Sequence, residues 1–304
     1  MKRLVAILLS VALLGWLLSD GRWRELGIAL ERLSPGVLLI AACGFAVSYL
    51  LRALRIHDEF RADASGRYPA CLRIVLVHNA MINVVPFRGG EAAFPLLLRQ
   101  TFGTPLGRAV ASLFWLRLQD AFVVMALAAI VWPGLPAWLR ALAVLAVIAF
   151  AWWLPRWASR PHDWQQGGTL TSKLARVRDA FAETTRHARF GWLWTLANWS
   201  VKLLVQAYVL SAALPAVLTT GAAGALGAEL AAILPIQGVA GFGTYEAGAA
   251  AAMLPAGVAL SDGLKGALAL HLFVIASAVI AGSIAWLFPT HGPGPQQTTE
   301  STHP

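Results

Sequence analysis

Charged residues are scarce in this chain, and their scarcity excludes a water-soluble protein. Only 13% of the 304 residues are charged, whereas 58% are hydrophobic. An average globular domain has about a quarter of its residues charged. A chain of this composition cannot hide its apolar side chains in a soluble core, so the sequence predicts an all-α integral membrane protein.

Cysteine is nearly absent, and its placement argues against two kinds of site. Cys43 and Cys71 lie in or beside apolar runs, without the spacing of zinc ligands or of a disulfide framework. We therefore predict no metal and no cofactor. The formal net charge of +9 does not indicate a nucleic-acid partner, because the arginines lie between hydrophobic runs, where they set membrane orientation.

Long apolar runs dominate what is present. Six of them approach or reach the length of a membrane span, at residues 4–18, 36–54, 109–131, 137–154, 192–214 and 264–288. The first follows Lys2 and Arg3 without a signal-peptide cleavage site, so we expect a retained first helix. Two further runs, 71–98 and 222–254, are too interrupted for one helix and too apolar for a loop. Each is predicted to form a re-entrant helical hairpin.

The distribution of basic residues predicts how these elements are oriented. Arginine and lysine cluster at 52–73 and 156–189, which the positive-inside rule assigns to the cytoplasm together with the N-terminus. The two hairpins would then enter from opposite faces of a bacterial inner membrane. The result is one polytopic domain, residues 1–288, with inverted pseudo-repeats at 36–131 and 192–288.

Two segments are more polar than the rest. The stretch 173–189 is either a helix on the membrane surface or a solvated cytoplasmic loop. Residues 289–304 are rich in Gly, Pro, Gln and Thr and are predicted to be disordered.

Each interrupted run contains glycines followed by a carboxylate. Glu91 follows Gly89 and Gly90, and Glu246 follows Gly243. An ionisable group at membrane depth costs at least about 2.5 kcal/mol, which marks both glutamates as candidate functional residues. The alternative for Glu91 is a structural role at a helix start, and the glycines could instead serve close helix packing.

Arg88 stands beside Glu91 and offers a cation suited to phosphate. Backbone N–H groups at the start of a short helix after Gly90 could also receive an anionic ligand. Asn83, four residues after Asn79, is predicted to satisfy backbone groups freed by Pro86.

Polar residues also occur inside the uninterrupted runs. Arg117 and Asp120 are spaced i, i+3 and can pair on one helix face, as a structural ion pair or as substrate contacts. Asn198, Lys202 and Gln206 form one polar stripe, which should face the protein interior. Lys202 would line a pathway there, or pair with a carboxylate such as Glu91 or Glu246. The histidines at 78 and 271 are expected to be interior residues with satisfied hydrogen bonds.

Three segments, 83–91, 117–120 and 235–246, together resemble the transmembrane domain of lysylphosphatidylglycerol synthases, a flippase-like family. The resemblance extends over about residues 4–288. It implies a polytopic inner-membrane protein whose full-length relatives move a lipid with a modified head group between leaflets. Leu116 and Gln237 depart from the family pattern, which often has Glu and a small hydroxyl residue there. The synthases also have a soluble aminoacyl-transfer domain, and we expect this chain to be a stand-alone form without it.

The leading hypothesis is a flippase- or scramblase-like transporter, not an enzyme, for an anionic or modified phospholipid or a polyprenyl-phosphate lipid. The candidate substrate-binding residues are Asn83, Arg88, Gly89, Gly90, Glu91, Arg117, Asp120, Lys202, Gly243 and Glu246. One alternative is a membrane-embedded enzyme acting on lipid head groups, disfavoured because no nucleophile or metal constellation adjoins either motif. The other is a non-transporting partner of a cell-envelope enzyme.

Overall fold

Helices form nearly all of the computed structural model, which describes residues 27, 31, 33–64, 66–85, 89–132, 134–160, 168–185, 188–233 and 239–288. No strand occurs among these residues, so the all-α prediction is confirmed for them. The predicted helix at 4–18, the tail at 289–304 and the residues from Pro86 to Arg88 lie outside this range. So do residues 234–238, which include Gln237.

Eleven α-helices are found in the described part of the chain. They are α1 (Pro35–Glu59), α2 (Arg61–Ala64), α3 (Tyr68–Val84), α4 (Ala93–Phe102), α5 (Leu106–Val131), α6 (Ala137–Ala158), α7 (Thr169–Thr184), α8 (Gly191–Ala213), α9 (Leu218–Ile233), α10 (Thr244–Met253) and α11 (Leu260–Leu287). Short 3-10 turns precede α4 (Gly89–Ala92), precede α10 (Val239–Gly241) and follow α10 (Leu254–Ala256).

Local sequence explains where several helices begin and end. The Ser34 hydroxyl accepts a hydrogen bond from the Val37 N–H at 3.3 Å, and Pro35 occupies the first turn of α1. Helix α4 ends at Gly103, whose left-handed conformation closes the last turn. Asp262 lies in the first turn of α11, where a negative charge stabilises the positive end of the helix dipole.

Within the described ranges, four helices are long and apolar enough to cross a membrane, namely α1, α5, α6 and α11. They correspond to the predicted spans 36–54, 109–131, 137–154 and 264–288. Helices α8 and α9 meet the same criterion only together, with a bend of 118° between them. The predicted span 192–214 is therefore a helix, but it is not an independent span by this measure.

Both interrupted runs fold as two helices that pack against each other. Helices α3 and α4 are joined through the turn Gly89–Ala92, and α9 packs closely along α10. The predicted break in each run is confirmed in its described parts. The longer helix comes first in both pairs, with 17 and 16 residues against 10 and 10.

Most of the described helices pack around two large apolar cores, and a third, smaller cluster forms around Trp115 and Phe181. One core is built from α1, α3, α4 and α5 and includes Phe45, Ile74 and Leu98. The other is built mainly from α8 to α11 and includes Leu210 and Met253. Helix α1 lies along α8, α3 lies along α11, and α9 contacts α5, so the two cores are in direct contact.

Helices α6 and α7 lie at the periphery. Only Ala151 and Ala158 of α6 are buried, so this helix presents most of its side chains to lipid. Helix α7 occupies much of the segment that the sequence left as either helix or loop, and it packs on α5 and α6. Phe181 of α7 meets Trp115 of α5 with ring centroids 5.4 Å apart.

Candidate functional site

An ion pair connects the first interrupted run with α5. Arg117 Nη2 lies 2.7 Å from Oε1 and 2.9 Å from Oε2 of Glu91, which belongs to the turn before α4. His78 of α3 approaches from the other side, with Nε2 3.4 Å from Glu91 Oε2. Glu91 therefore pairs with a side chain on another helix, but this partner is Arg117 and not Lys202, which the sequence analysis had considered.

The glycines before Glu91 fix how the turn meets α3. Gly90 is buried, and a Cβ atom at this position would overlap the main-chain carbonyl of Met81. Gly89 is exposed. Only glycine at position 90 permits the close approach that brings Glu91 to Arg117.

Asp120 is the centre of a deeper network. It accepts hydrogen bonds from Arg55 Nη1 at 2.6 Å and from the Trp199 indole at 2.8 Å, and Arg117 Nη1 lies 3.6 Å away. The i, i+3 pairing of Arg117 and Asp120 predicted from the sequence is thus confirmed. Through Asp120, helices α1, α5 and α8 are joined by charged and polar contacts.

Arg55 is held from several sides. Besides Asp120, its Nη2 donates to the Leu116 carbonyl at 2.6 Å and to Gln119 Oε1 at 3.0 Å. These contacts hold the two Nη groups, and they offset the cost of burying the charge, because an unpaired buried charge is expensive.

Exposure changes steadily along this network. The side chain of Arg117 is 37% exposed and that of Glu91 is 26%, whereas Asp120 is 14% and Arg55 is 5% exposed. The charged groups therefore form a cleft with an accessible mouth at Arg117 and Glu91 and a buried floor at Arg55. We call these four residues the arginine cleft.

Arg52 extends the cleft along α1. Its Nη1 donates to Asn79 Oδ1 at 3.1 Å, and the Asn79 amide donates to the Tyr49 hydroxyl at 3.2 Å. Asn83 donates to the Asn79 main-chain carbonyl at 2.7 Å. Its predicted role, to satisfy backbone groups freed by Pro86, stays a prediction, because Pro86 lies outside the described residues. Among the described residues, no carboxylate lies within 4 Å of Arg52.

A second cluster lies where α8 meets α9 and α10. Lys202 Nζ lies 2.7 Å from Glu229 Oε1, and the same oxygen accepts from Gln206 at 2.7 Å. Gln206 also contacts the Tyr245 hydroxyl at 3.1 Å. Asn198 is buried and accepts a hydrogen bond from Ser48 at 2.7 Å, so the polar stripe faces the protein interior as predicted.

The partner of Lys202 is a correction to the sequence prediction. Its carboxylate is Glu229, not Glu91 or Glu246. Glu91 pairs with Arg117, and Glu246 contacts His271. Helix α9 packs on α8 and brings Glu229 to Lys202. Glu229 was missed although it is the only carboxylate in the apolar segment 218–233, which is the signal that could have identified it.

Glu246 is held within the second interrupted run and by α11. Its Oε2 accepts from the Gly243 N–H at 2.6 Å, and its Oε1 lies 2.7 Å from His271 Nδ1. Gly243 has a φ of 86°, which glycine adopts without steric cost. The His271 ring is stacked on Tyr245 at 4.3 Å, so this histidine is an interior residue with a hydrogen-bond partner, as expected.

The candidate residues thus form three groups. Asn83, Glu91, Arg117 and Asp120 lie in or beside the arginine cleft, Lys202 lies in the second cluster, and Gly243 and Glu246 lie with His271. Arg88 lies outside the described residues. No three His, Cys, Asp or Glu side chains converge as metal ligands in the described part of the chain.

Arg52 and Arg55 were not identified from the sequence as members of a candidate site. Arg52 and Arg55 follow an apolar run, and the positive-inside rule treats such residues as flanking charges in the cytoplasm. Their i, i+3 spacing at the end of a predicted helix is the signal that they share a face of that helix.

Comparison with known proteins places the chain in a family. No curated protein matches it at a significant level. The model of the lysylphosphatidylglycerol synthase TM region matches residues 3–282, which include every described residue of the arginine cleft and both clusters of α8 to α11. The chain therefore belongs to the lysylphosphatidylglycerol synthase TM region family, a family of membrane proteins associated with lipids.

Proposed function

We propose that this protein moves a lipid with a phosphate-containing head group between the leaflets of a bacterial cytoplasmic membrane. The observation that carries the proposal is the arginine cleft, which is charged, partly accessible and built between largely apolar helices. Charged groups inside a membrane bundle are costly and typically mark the path of a polar substrate.

The cleft offers a way to receive the head group. Arg117 is the most exposed cation in the arginine cleft, and its Nη2 group is bound by Glu91. A lipid phosphate that approaches the mouth can replace Glu91 as the partner of Arg117, because both are oxyanions suited to a guanidinium. The acyl chains would remain in the surrounding lipid throughout.

The arrangement of helices supports an alternating mechanism. The order of lengths 25, 17, 10 and 26 residues in α1, α3, α4 and α5 is followed by 23, 16, 10 and 28 in α8, α9, α10 and α11. The contacts correspond as well, because the second helix of each series contacts the last helix of the other series. Helix α3 packs on α11, and α9 contacts α5. We interpret these units as inverted pseudo-repeats within one membrane domain, with re-entrant hairpins and a cytoplasmic N-terminus. Repeats of this kind alternate access to a site between them.

The second group of charged residues supports the same proposal. Lys202 and Glu229 lie in α8 and α9, and Glu246 with its glycine-rich approach lies at the start of α10. In the proposed mechanism, this group stabilises one of the two arrangements that the repeats adopt.

A leaflet-exchange assay tests the proposal. Purified protein is reconstituted in liposomes with a fluorescent phosphatidylglycerol analogue, and the label in the outer leaflet is bleached by an impermeant reductant. We expect complete bleaching with wild type and at least about a tenfold slower second phase with Arg117→Gln, because the outermost cation is lost. The control Lys265→Gln removes an exposed cation that lies 3.7 Å from Asp262, and it should stay within about twofold of wild type.

Two results would contradict the proposal. One is a wild-type protein that exchanges lipid no faster than protein-free liposomes do. The other is conversion of the lipid into a new species, detected by mass spectrometry, which would favour an enzyme acting on head groups.

A further inference from the structure

The charged groups that pair with one another in the arginine cleft, counted together with the neighbouring Arg52, do not balance. Three guanidinium groups, those of Arg52, Arg55 and Arg117, face two carboxylates, those of Glu91 and Asp120. Among these five side chains, one positive charge remains without a negative counterpart. Such a surplus inside a membrane protein calls for an anion.

The surplus is located on Arg52. Arg55 and Arg117 each have a carboxylate oxygen within 2.7 Å, whereas the hydrogen-bond partner of Arg52 in the described residues is the neutral Asn79. Arg52 lies within electrostatic range of Arg117 and Arg55, whose like charges oppose it, and of Asp120, which already pairs with Arg55.

The surroundings hold Arg52 in position for a ligand. The Asn79 amide is fixed between the Tyr49 hydroxyl and the Arg52 guanidinium, and Asn83 is bonded to the main chain of Asn79. The buried Nε of Arg117 has no hydrogen-bond partner among the described groups. A preorganised guanidinium within electrostatic range of a second guanidinium that has an unsatisfied N–H donor is suited to bind phosphate oxygens.

We propose that Arg52, together with Arg117, binds the phosphate of the transported lipid, and that the site is matched to a phosphodiester with one negative charge. This inference rests on the proposed lipid transport and specifies its substrate class. One negative charge neutralises the surplus, whereas a phosphate monoester, with about −1.5 to −2 charges at pH 7, overcompensates it.

Binding measurements on the purified full-length protein test the inference. Short-chain phosphatidylglycerol, phosphatidic acid and diacylglycerol serve as probes with a phosphodiester, a phosphomonoester and no phosphate. We expect wild type to prefer phosphatidylglycerol over both others. Arg52→Gln should weaken phosphatidylglycerol binding by about tenfold or more and change diacylglycerol binding by less than about twofold. Arg52→Lys retains the charge without the planar fork, so its affinity for phosphatidylglycerol should lie between that of wild type and that of Arg52→Gln.

The matched control is Arg73→Gln. Arg73 is also an arginine that contacts a neighbouring helix, since its Nε donates to the Ala285 carbonyl at 3.1 Å, but it lies outside the cleft network. Lipid selectivity should be unchanged in this variant. A thermal unfolding scan of each variant checks that the fold is retained.

The outcomes separate this inference from the proposed function. If Arg52→Gln keeps the wild-type preference for phosphatidylglycerol while wild type transports lipid, the role of Arg52 is wrong and the transport function stands. Tighter wild-type binding of phosphatidic acid than of phosphatidylglycerol overturns the single-charge match. Wild type that neither binds nor moves any of these lipids overturns both proposals.

Discussion

The indole of Trp199 donates a hydrogen bond to Asp120 at 2.8 Å, and this contact ties α8 to the floor of the arginine cleft. The same indole ring lies beneath the Lys202 ammonium group, 4.5 Å from Nζ to the ring centroid. One side chain thus touches both charged groups. A continuous chain of contacts therefore runs from Glu91 to Glu229, through Arg117, Asp120, Trp199 and Lys202. We expect it to couple the two glutamates energetically.

Replacement of Trp199 by phenylalanine should disconnect the two groups. Phenylalanine keeps an aromatic ring but lacks the N–H donor, so the link to Asp120 is lost. In wild type, the effects of Glu91→Gln and Glu229→Gln on the rate of lipid exchange should be non-additive by at least about 0.5 kcal/mol. In the Trp199→Phe background they should become additive. The control is Trp286→Phe at an exposed position, where the coupling should remain as in wild type. Equal coupling in wild type and in the Trp199→Phe background would refute the link.

Asp120→Asn should strongly destabilise the fold. The substitution leaves the buried Arg55 without its carboxylate, and breaking a buried ion pair typically costs about 3–5 kcal/mol. Equilibrium unfolding in detergent measures this loss. Asp262→Asn, at an exposed pair, should cost less than about 1 kcal/mol, and a similar cost for both variants would argue against a buried role for Asp120.

Gly90→Ala should impair transport by displacing Glu91. The added methyl group overlaps the Met81 carbonyl, which forces the turn away from α3 and costs about 1–3 kcal/mol. Lipid exchange in liposomes should slow by at least about tenfold, because Arg117 loses its aligned partner. Gly107→Ala, where nothing lies within 4 Å of the new Cβ, should behave like wild type. Equal exchange rates in the two variants would show that the turn does not position Glu91.

His271→Ala should destabilise the protein more than the same change combined with Glu246→Gln. The single variant removes the imidazole that contacts the buried carboxylate and leaves that charge poorly compensated. The double variant removes the charge as well, so its loss of stability should be smaller than the sum of the two single losses. Thermal unfolding of the four proteins completes the cycle. Simple additivity would mean that the two side chains do not stabilise each other.

The long helices could be predicted because hydropathy and length are local properties of the chain. The apolar run 36–54 predicts α1, although the helix continues to Glu59. The predicted end came too early because Arg55 ends the apolar run, whereas the backbone hydrogen bonds of a helix do not depend on the polarity of its side chains. Inside a protein, a helix can therefore continue through charged residues if these residues bind partners on neighbouring helices.

The candidate site could be predicted only within single helices. Arg117 with Asp120, and the stripe containing Lys202, follow from helical spacing alone. The partners Arg55 and Glu229 depend on how distant helices pack, and periodicity contains no such information. Glu91 was correctly singled out as an unusual carboxylate, but its bond to Arg117 required the three-dimensional arrangement.

The contact between α3 and α11 has a consequence for biosynthesis. Arg73 of α3 bonds to Ala285, more than two hundred residues later in the chain, and α3 lies along α11. During translation, the first interrupted run enters the membrane long before its packing partner leaves the ribosome. We therefore expect the insertion machinery or lipid to cover the packing surface of α3 until α11, the last helix, joins the bundle.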